Sequence, residues 1–286
     1  MNALLKKIII TRPYSWVCII FVAILANILS RGALILDNVL AFDIITALVA
    51  WYVATSMVEY FHGKIDGRGL TNPMIPIISS IIFAAILIFR NPVTLIFLPI
   101  ILFADFIYSM KIRKWLLSRF SFMFRGVLEV SVFLSTMLFN MNYDIIIYTP
   151  LILAIFFLTN SRNLIGDIRD VEFDKYIFPK RYGIGASYMF SVALILLSIL
   201  LLPDILLMLP MVLFIAVVPI LKNAYSLHRI FVLSMTFFYA NYISIVVGLS
   251  LFITNMLFVA VILNLTYPVV PRKSNPRGVR FYSYKD

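Results

Sequence analysis

The chain has 286 residues, 63% of them apolar and 13% charged, and its mean hydropathy is +1.02. No soluble domain of this length has that balance, so the sequence reads as a polytopic membrane protein. One cysteine, Cys18, and two histidines, His62 and His228, exclude a disulfide framework, a thiolate metal site and a multi-histidine cage, and the net charge of +11 is no sign of nucleic acid, because the bases follow a membrane pattern.

Ten apolar segments follow one another, at roughly 14–35, 40–61, 74–89, 93–110, 121–139, 145–160, 187–202, 204–221, 230–250 and 252–270. Several are shorter than the ~20 residues that an untilted helix needs to cross ~30 Å of hydrocarbon. The first begins with Pro13 and Trp16, is long, and has no clean small-residue cleavage site after it, so it is not read as a cleavable signal. With Lys6, Lys7 and Arg12 in the cytoplasm, the connections after segments two, four, six and eight and the C-terminal tail share that side. They hold nearly all the remaining bases, Arg125 and Arg162 included, and only Arg31 and Arg90 fall opposite. This positive-inside asymmetry favours ten crossings over nine, with both termini cytoplasmic, and a C-terminal tag found outside would reduce the count. The weak point is 230–270, where Gly248 gives the only break. The expected fold is an all-α, multi-pass bundle of nine or ten transmembrane helices in the cell membrane. A single domain spans 1–271, followed by a basic tail over 272–286.

Within the apolar segments, Asp105 and Glu129 are expensive and call for partners on other helices; Arg125, four residues before Glu129, is its natural local partner. Two connections stand out. The one after segment two, MVEYFHGKIDGRGLTNPMIP over 57–76, contains Glu59, His62, Asp66 and Arg68. The one after segment six, RNLIGDIRDVEFDKYIFPKRYG over 162–183, interleaves Asp167, Asp170, Glu172 and Asp174 with bases. Asp167, Asp170 and Asp174 are spaced i, i+3, i+7 and would share one face of a helix. Carboxylates so placed repel one another. A divalent cation relieves that repulsion, and Mg²⁺ prefers carboxylate oxygen with phosphate completing its shell.

The second connection resembles the second aspartate motif of the UbiA-type intramembrane prenyltransferases, approximately Arg-Glu-x-x-Lys-Asp-Ile-x-Asp-x-Glu-x-Asp followed by a proline and a glycine. Here the matching residues are Arg162, Asp167, Ile168, Asp170, Glu172, Asp174, Pro179 and Gly183, with Asn163 and Gly166 departing from it. Arg12-Pro13 resembles a common start of the family. Tyr108-Ser109 with Lys111 and Arg113 is similar to the tyrosine and basic pair after its fourth helix. The first connection departs further. Aligned on Tyr60-Phe61, Glu59 and Asp66 keep two acidic positions of the family's first motif, and His62 stands at a metal aspartate. Neutral imidazole is a poor Mg²⁺ ligand, so this motif is degenerate.

The resemblance implies an integral-membrane transfer of a prenyl group from an isoprenyl diphosphate to a lipidic or aromatic acceptor. Mg²⁺ would be held by Asp167, Asp170 and Asp174 and, across the site, by Asp66 and Glu59. Lys111, Arg113, Lys180, Arg181 and Arg68 would touch phosphate oxygens, although membrane topology alone accounts equally well for any single base. Tyr108 would face the cation or a phosphate, or serve as an interfacial aromatic. His62 is a replaced metal position, a hydrogen-bonding partner of Asp66, or an acid–base group. The form of the second motif looks closest to the archaeal ether-lipid branch, with quinone and haem prenyltransferases as competitors. Two readings of other classes stand beside it: a non-catalytic prenyl-lipid-binding descendant, and a transporter. The transporter is disfavoured because the apolar midplane lacks matching broken helices.

Overall fold

The computed structural model describes residues 16–66, 72–110, 116–171, 174, 176–218 and 224–248, with the backbone alone at 62–66, 116, 205 and 225. In hydrocarbon every backbone N–H and C=O must be satisfied within its own segment, so apolar runs of this length become helices. The described residues form α1 (Trp16–Arg31), α2 (Asn38–Asp66), α3 (Met74–Arg90), α4 (Phe97–Ser109), α5 (Gly126–Phe139), α6 (Thr149–Arg169), the short α7 (Phe178–Tyr182), α8 (Ile184–Leu201), α9 (Ile205–Val217) and α10 (Ala224–Val247). Tighter 3₁₀ turns at Pro92–Ile96, Leu116–Phe124 and Ile145–Tyr148 lead into α4, α5 and α6.

Among the described residues, six helical stretches are long and apolar enough to cross a membrane: Asn38–Phe61, Pro92–Ser109, Leu117–Phe139, Ile145–Arg169, Ile184–Leu201 and Ser226–Val247. Trp16–Arg31, Met74–Arg90 and Leu206–Val217 are apolar but shorter. These nine coincide with the first nine expected segments. The expected tenth, 252–270, and the tail 272–286 lie outside the described residues.

Helix α1 is the innermost element. It packs against α2, α5 and α10, and Val17 to Ile28 are buried along most of its length. Helix α6 packs most extensively on α8. Small hydroxyl side chains line that contact: Ser161 Oγ donates to Ser191 O at 3.1 Å, and Ser198 Oγ to Ala154 O at 3.4 Å. Small residues allow close backbone approach where lipid offers no hydrophobic gain from association. The outward faces of α3 and α8 are apolar and exposed, with Ile78, Ile81, Phe89, Leu196 and Leu200 among them, as lipid contact requires. At the start of α5, a Cβ on Gly126 would stand 2.6 Å from Asn160 Oδ1, and that oxygen accepts from Gly126 N at 3.0 Å. A larger residue there would push the Asn160 amide out of this bond between α5 and α6.

Buried charges hold the bundle together at two levels. At the end where α1, α3 and α5 finish and α2 begins, Asp43 accepts from Asn27 at 2.6 Å and from Asn140 at 3.0 Å. Arg90 Nη1 lies 2.6 Å from its other oxygen, and the guanidinium covers the Phe139 ring. Deeper in the bundle, Arg125 pairs with Asp105 at 2.6 Å and Arg162 with Glu129 at 2.8 Å. The expected cross-helix partners for Asp105 and Glu129 are therefore present, but the local Arg125–Glu129 pair is not. Arg125 precedes α5 and turns back to Asp105, where its guanidinium sits 4.7 Å from the Trp51 ring centroid and 5.6 Å from that of Tyr108. The topological count of bases is corrected at the same two residues: Arg125 and Arg162 are buried ion-pair partners, not water-side charges.

Candidate functional site

The two acidic connections leave α2 and α6 at the same end of the bundle, because four antiparallel passes separate them. Rings bridge this end. Phe61 of α2 meets Phe106 of α4 at 5.5 Å, and the turn over Leu116–Phe124 reaches α7 through Phe122–Phe178 at 5.7 Å. Phe178 also stacks on Tyr182 at 4.5 Å and touches Phe120 and Phe190. This aromatic knot fixes α7, with Pro179 buried in its first turn, and leaves Lys180 and Arg181 exposed on its outer side.

Helix α6 carries the second acidic motif to its end but not through it. Asp167 lies in the last turn, the helix stops at Arg169, and Asp170 caps it with its N–H bonded to Gly166 O and Asp167 O. Asp174 follows in a turn whose N–H reaches Asp170 O at 3.1 Å. The shared helical face expected for Asp167, Asp170 and Asp174 is thus corrected: one carboxylate is on the helix, one caps it, one lies beyond it. All three are nonetheless buried, at 1%, 5% and 4% exposure. Carboxylates so removed from water require compensating charge.

Asp170 has that compensation from its neighbour. Arg169 Nε donates to Asp170 Oδ1 at 2.9 Å and Nη2 to Oδ2 at 2.8 Å, a two-point fork. Arg169 Nη1 also points at His228 Nδ1 of α10, 3.3 Å away. The His228 ring lies over Gly166, where an added Cβ would come within 3.4 Å of Cδ2 and Nε2. Neither Arg169 nor His228 stood out in the sequence. Arg169 fills a variable position of the motif, and His228 is far along the chain, in the short connection before the ninth apolar segment. The one signal was Gly166, which stands where the resembled motif carries lysine.

Helix α2 runs unbroken to Asp66, so Glu59, His62 and Asp66 lie at i, i+3 and i+7 on one helix. Glu59 is half-buried. The side chains of His62 and Asp66, and all of Arg68, Lys111, Arg113 and Glu172, lie outside the described residues. Tyr108 is buried, its ring centre 5.6 Å from the Arg125 guanidinium, which makes it a packed ring and not a lipid-interface one. Arg162 lies within the motif's sequence yet belongs to the interior, bonded to Glu129 with Cys18 and Tyr239 beside it.

Among the described residues, no three His, Cys, Asp or Glu side chains come together as a cation site. The donors still suit Mg²⁺ in kind, because Asp167, Asp170 and Asp174 offer hard, anionic oxygen from buried positions. The group occupying Asp170 is itself a cation.

No protein-family sequence model matches the chain, and no curated protein is similar to it at a significant level. Solved structures are similar. A structure of digeranylgeranylglyceryl phosphate synthase in membranes is 20% identical, with 96% of this chain and 100% of that one covered at a TM-score of 0.51. UbiA homologues from Aeropyrum pernix K1 and from Archaeoglobus fulgidus are each 14% identical, with 93% of this chain and 98% of theirs covered at a TM-score of 0.52. Over nearly its whole length, the chain has the fold of the UbiA-type proteins.

Proposed function

We propose that this chain is an intramembrane prenyltransferase of the UbiA type. It moves a prenyl group from an isoprenyl diphosphate to a lipidic acceptor, in the class of chemistry that builds ether lipids. The observation that carries the proposal is the set of buried carboxylates, Asp167, Asp170 and Asp174, at the end of α6, followed in the chain by the exposed Lys180 and Arg181 of α7, in a fold of this type.

In the proposed reaction the allylic C–O bond breaks, and the diphosphate leaves with the bonding electron pair. The acceptor oxygen forms the new bond to carbon and loses its proton. Charge grows on the leaving diphosphate, so stabilisation there lowers the barrier most. Mg²⁺ would be held by Asp167, Asp170 and Asp174, with Asp66 and Glu59 opposite, and supplies compensating positive charge when bound. Lys180 and Arg181, fixed by the Phe178 knot, would bind the terminal phosphate, joined by Lys111, Arg113 and Arg68. Tyr108, its ring centre 5.6 Å from the Arg125 guanidinium, would offer a ring face to the developing carbocation. The buried Asp105–Arg125 and Glu129–Arg162 pairs keep α4, α5 and α6 in register beneath the site.

The test is diphosphate release from geranylgeranyl diphosphate by the purified chain in lipid, with and without Mg²⁺. Mg²⁺-dependent release is expected. Binding of the prenyl diphosphate with no release at any Mg²⁺ concentration would instead fit a lipid-binding descendant.

A further inference from the structure

We propose that Arg169 is the resident counter-ion of Asp170, and that a divalent cation must compete with it for the chelating edge of this carboxylate. The inference rests on the reading of Asp167, Asp170 and Asp174 as metal ligands and adds a determinant of metal affinity specific to this chain.

The argument starts from burial. Asp170 is 5% exposed, and an ionised carboxylate so placed must be compensated whether or not a metal is bound. Arg169 does this with a bidentate fork at 2.9 and 2.8 Å, the strongest geometry available to the pair. Both carboxylate oxygens are engaged, so Asp170 cannot offer a metal the lone pairs that point at the guanidinium.

The arrangement is held from outside the motif. His228 reaches in from α10, and its Nδ1 accepts from Arg169 Nη1 at 3.3 Å. The ring has room because residue 166 is glycine. The guanidinium is therefore seated between an aspartate and an imidazole, itself 11% exposed, and does not project into water. Its pairing partner is the adjacent residue, so rotation about its own side-chain bonds releases Asp170 without moving a helix. A divalent ion that binds pays for that release, and its apparent affinity is lowered accordingly.

The experiment is Mn²⁺ binding to the full chain in detergent, followed by loss of the free-ion electron paramagnetic resonance signal, with no substrate present. Arg169→Gln is expected to tighten Mn²⁺ binding by about tenfold, because the ion no longer competes with a charge-assisted fork. Arg169→Lys keeps the charge but replaces the fork by a point contact, and should tighten binding by a smaller factor. It also keeps the test available should the glutamine variant fold poorly. Asp170→Asn should weaken binding in every background. Unchanged or weaker binding in both arginine variants, with Asp170→Asn still weakening it, would overturn the counter-ion role and leave the metal reading standing. Wild-type binding by Asp170→Asn and Asp174→Asn would remove the metal reading, and the counter-ion role with it.

Discussion

Asp43 and Asp170 are both buried aspartates facing an arginine, one at each end of the bundle, and they are held in opposite ways. Asp43 draws Asn27 from α1, Arg90 from α3 and Asn140 from the end of α5, so three other helices converge on one carboxylate. Asp170 draws its fork from Arg169, the residue before it, and His228 reaches that guanidinium from another helix. A carboxylate fixed from three helices cannot change partner without unpacking the bundle. One whose cation is its chain neighbour changes partner by side-chain rotation. The same residue types thus make a joint at one end and an exchangeable seat at the other, and the exchangeable seat lies where the resemblance puts chemistry.

The comparison is broken most directly at the joint. Asp43→Leu would leave the largely covered Arg90 guanidinium without its carboxylate, take the Asp43 bond from the Asn27 amide and leave Asn140 with its bond to Thr136 O alone. Breaking a buried pair from one side costs about 3–5 kcal/mol, a larger effect than any change at Asp170 or Asp37 should have. Thermal unfolding of the detergent-solubilised protein measures it. A variant melting at the wild-type temperature would show that Asp43 is not the joint described here.

The fold was largely legible in the sequence, and the partnering was not. The nine apolar segments that fall within the described residues are helices, because hydrocarbon admits no other open backbone arrangement and the composition left no choice. Pairing was misread at Arg125, since spacing sees only i, i+4 neighbours. The aromatic seat of Trp51 and Tyr108 that turns the guanidinium toward Asp105 comes from residues 74 and 17 positions away. The end of α6 was misread for a related reason. Neither Gly nor Pro marks Asp170 as a cap, and charge spacing alone cannot distinguish a helix that continues from one that stops. His228 was out of reach altogether, because what links it to the motif is the space above Gly166.

At the exchangeable seat the expected effect falls on rate and not on folding. Asp170→Asn and Asp174→Asn preserve shape while each removes a negative donor oxygen. Diphosphate release should fall by about a hundredfold or more, on the order expected when charge stabilisation of a leaving group is lost. The melting temperature should stay near that of the wild type, far above that of Asp43→Leu. Asp144→Asn, exposed before α6 at the opposite end, is the control and should leave both quantities unchanged. If Asp170→Asn melts as low as Asp43→Leu, the two ends are both joints and the distinction fails.

The smallest effect separates a joint from a surface pair at the same end of the molecule. Arg31 forks Asp37 at 3.0 and 2.7 Å in the connection between α1 and α2, and Asp37 Oδ1 also accepts from Leu40 N at 3.0 Å to cap α2. The guanidinium, helped by that backbone N–H, holds the Asp37 carboxyl down at about 2, below its ordinary value of 3.8. A depressed folded-state value means that the contribution is fully present above the ordinary one. It is lost as pH falls from about 4 through about 2. Unlike Asp43, however, Asp37 is a third exposed, so water already screens the pair and its contribution to stability is slight. Asp37→Asn keeps the capping oxygen and removes only the charge. Its melting temperature should sit just below that of the wild type by the same margin at pH 7 and pH 5. The margin should then close below pH 4, as the wild-type carboxylate takes up its proton. A deficit as large as that of Asp43→Leu, or one that persists unchanged into acid, would mean that Asp37 acts by packing and belongs with the joint.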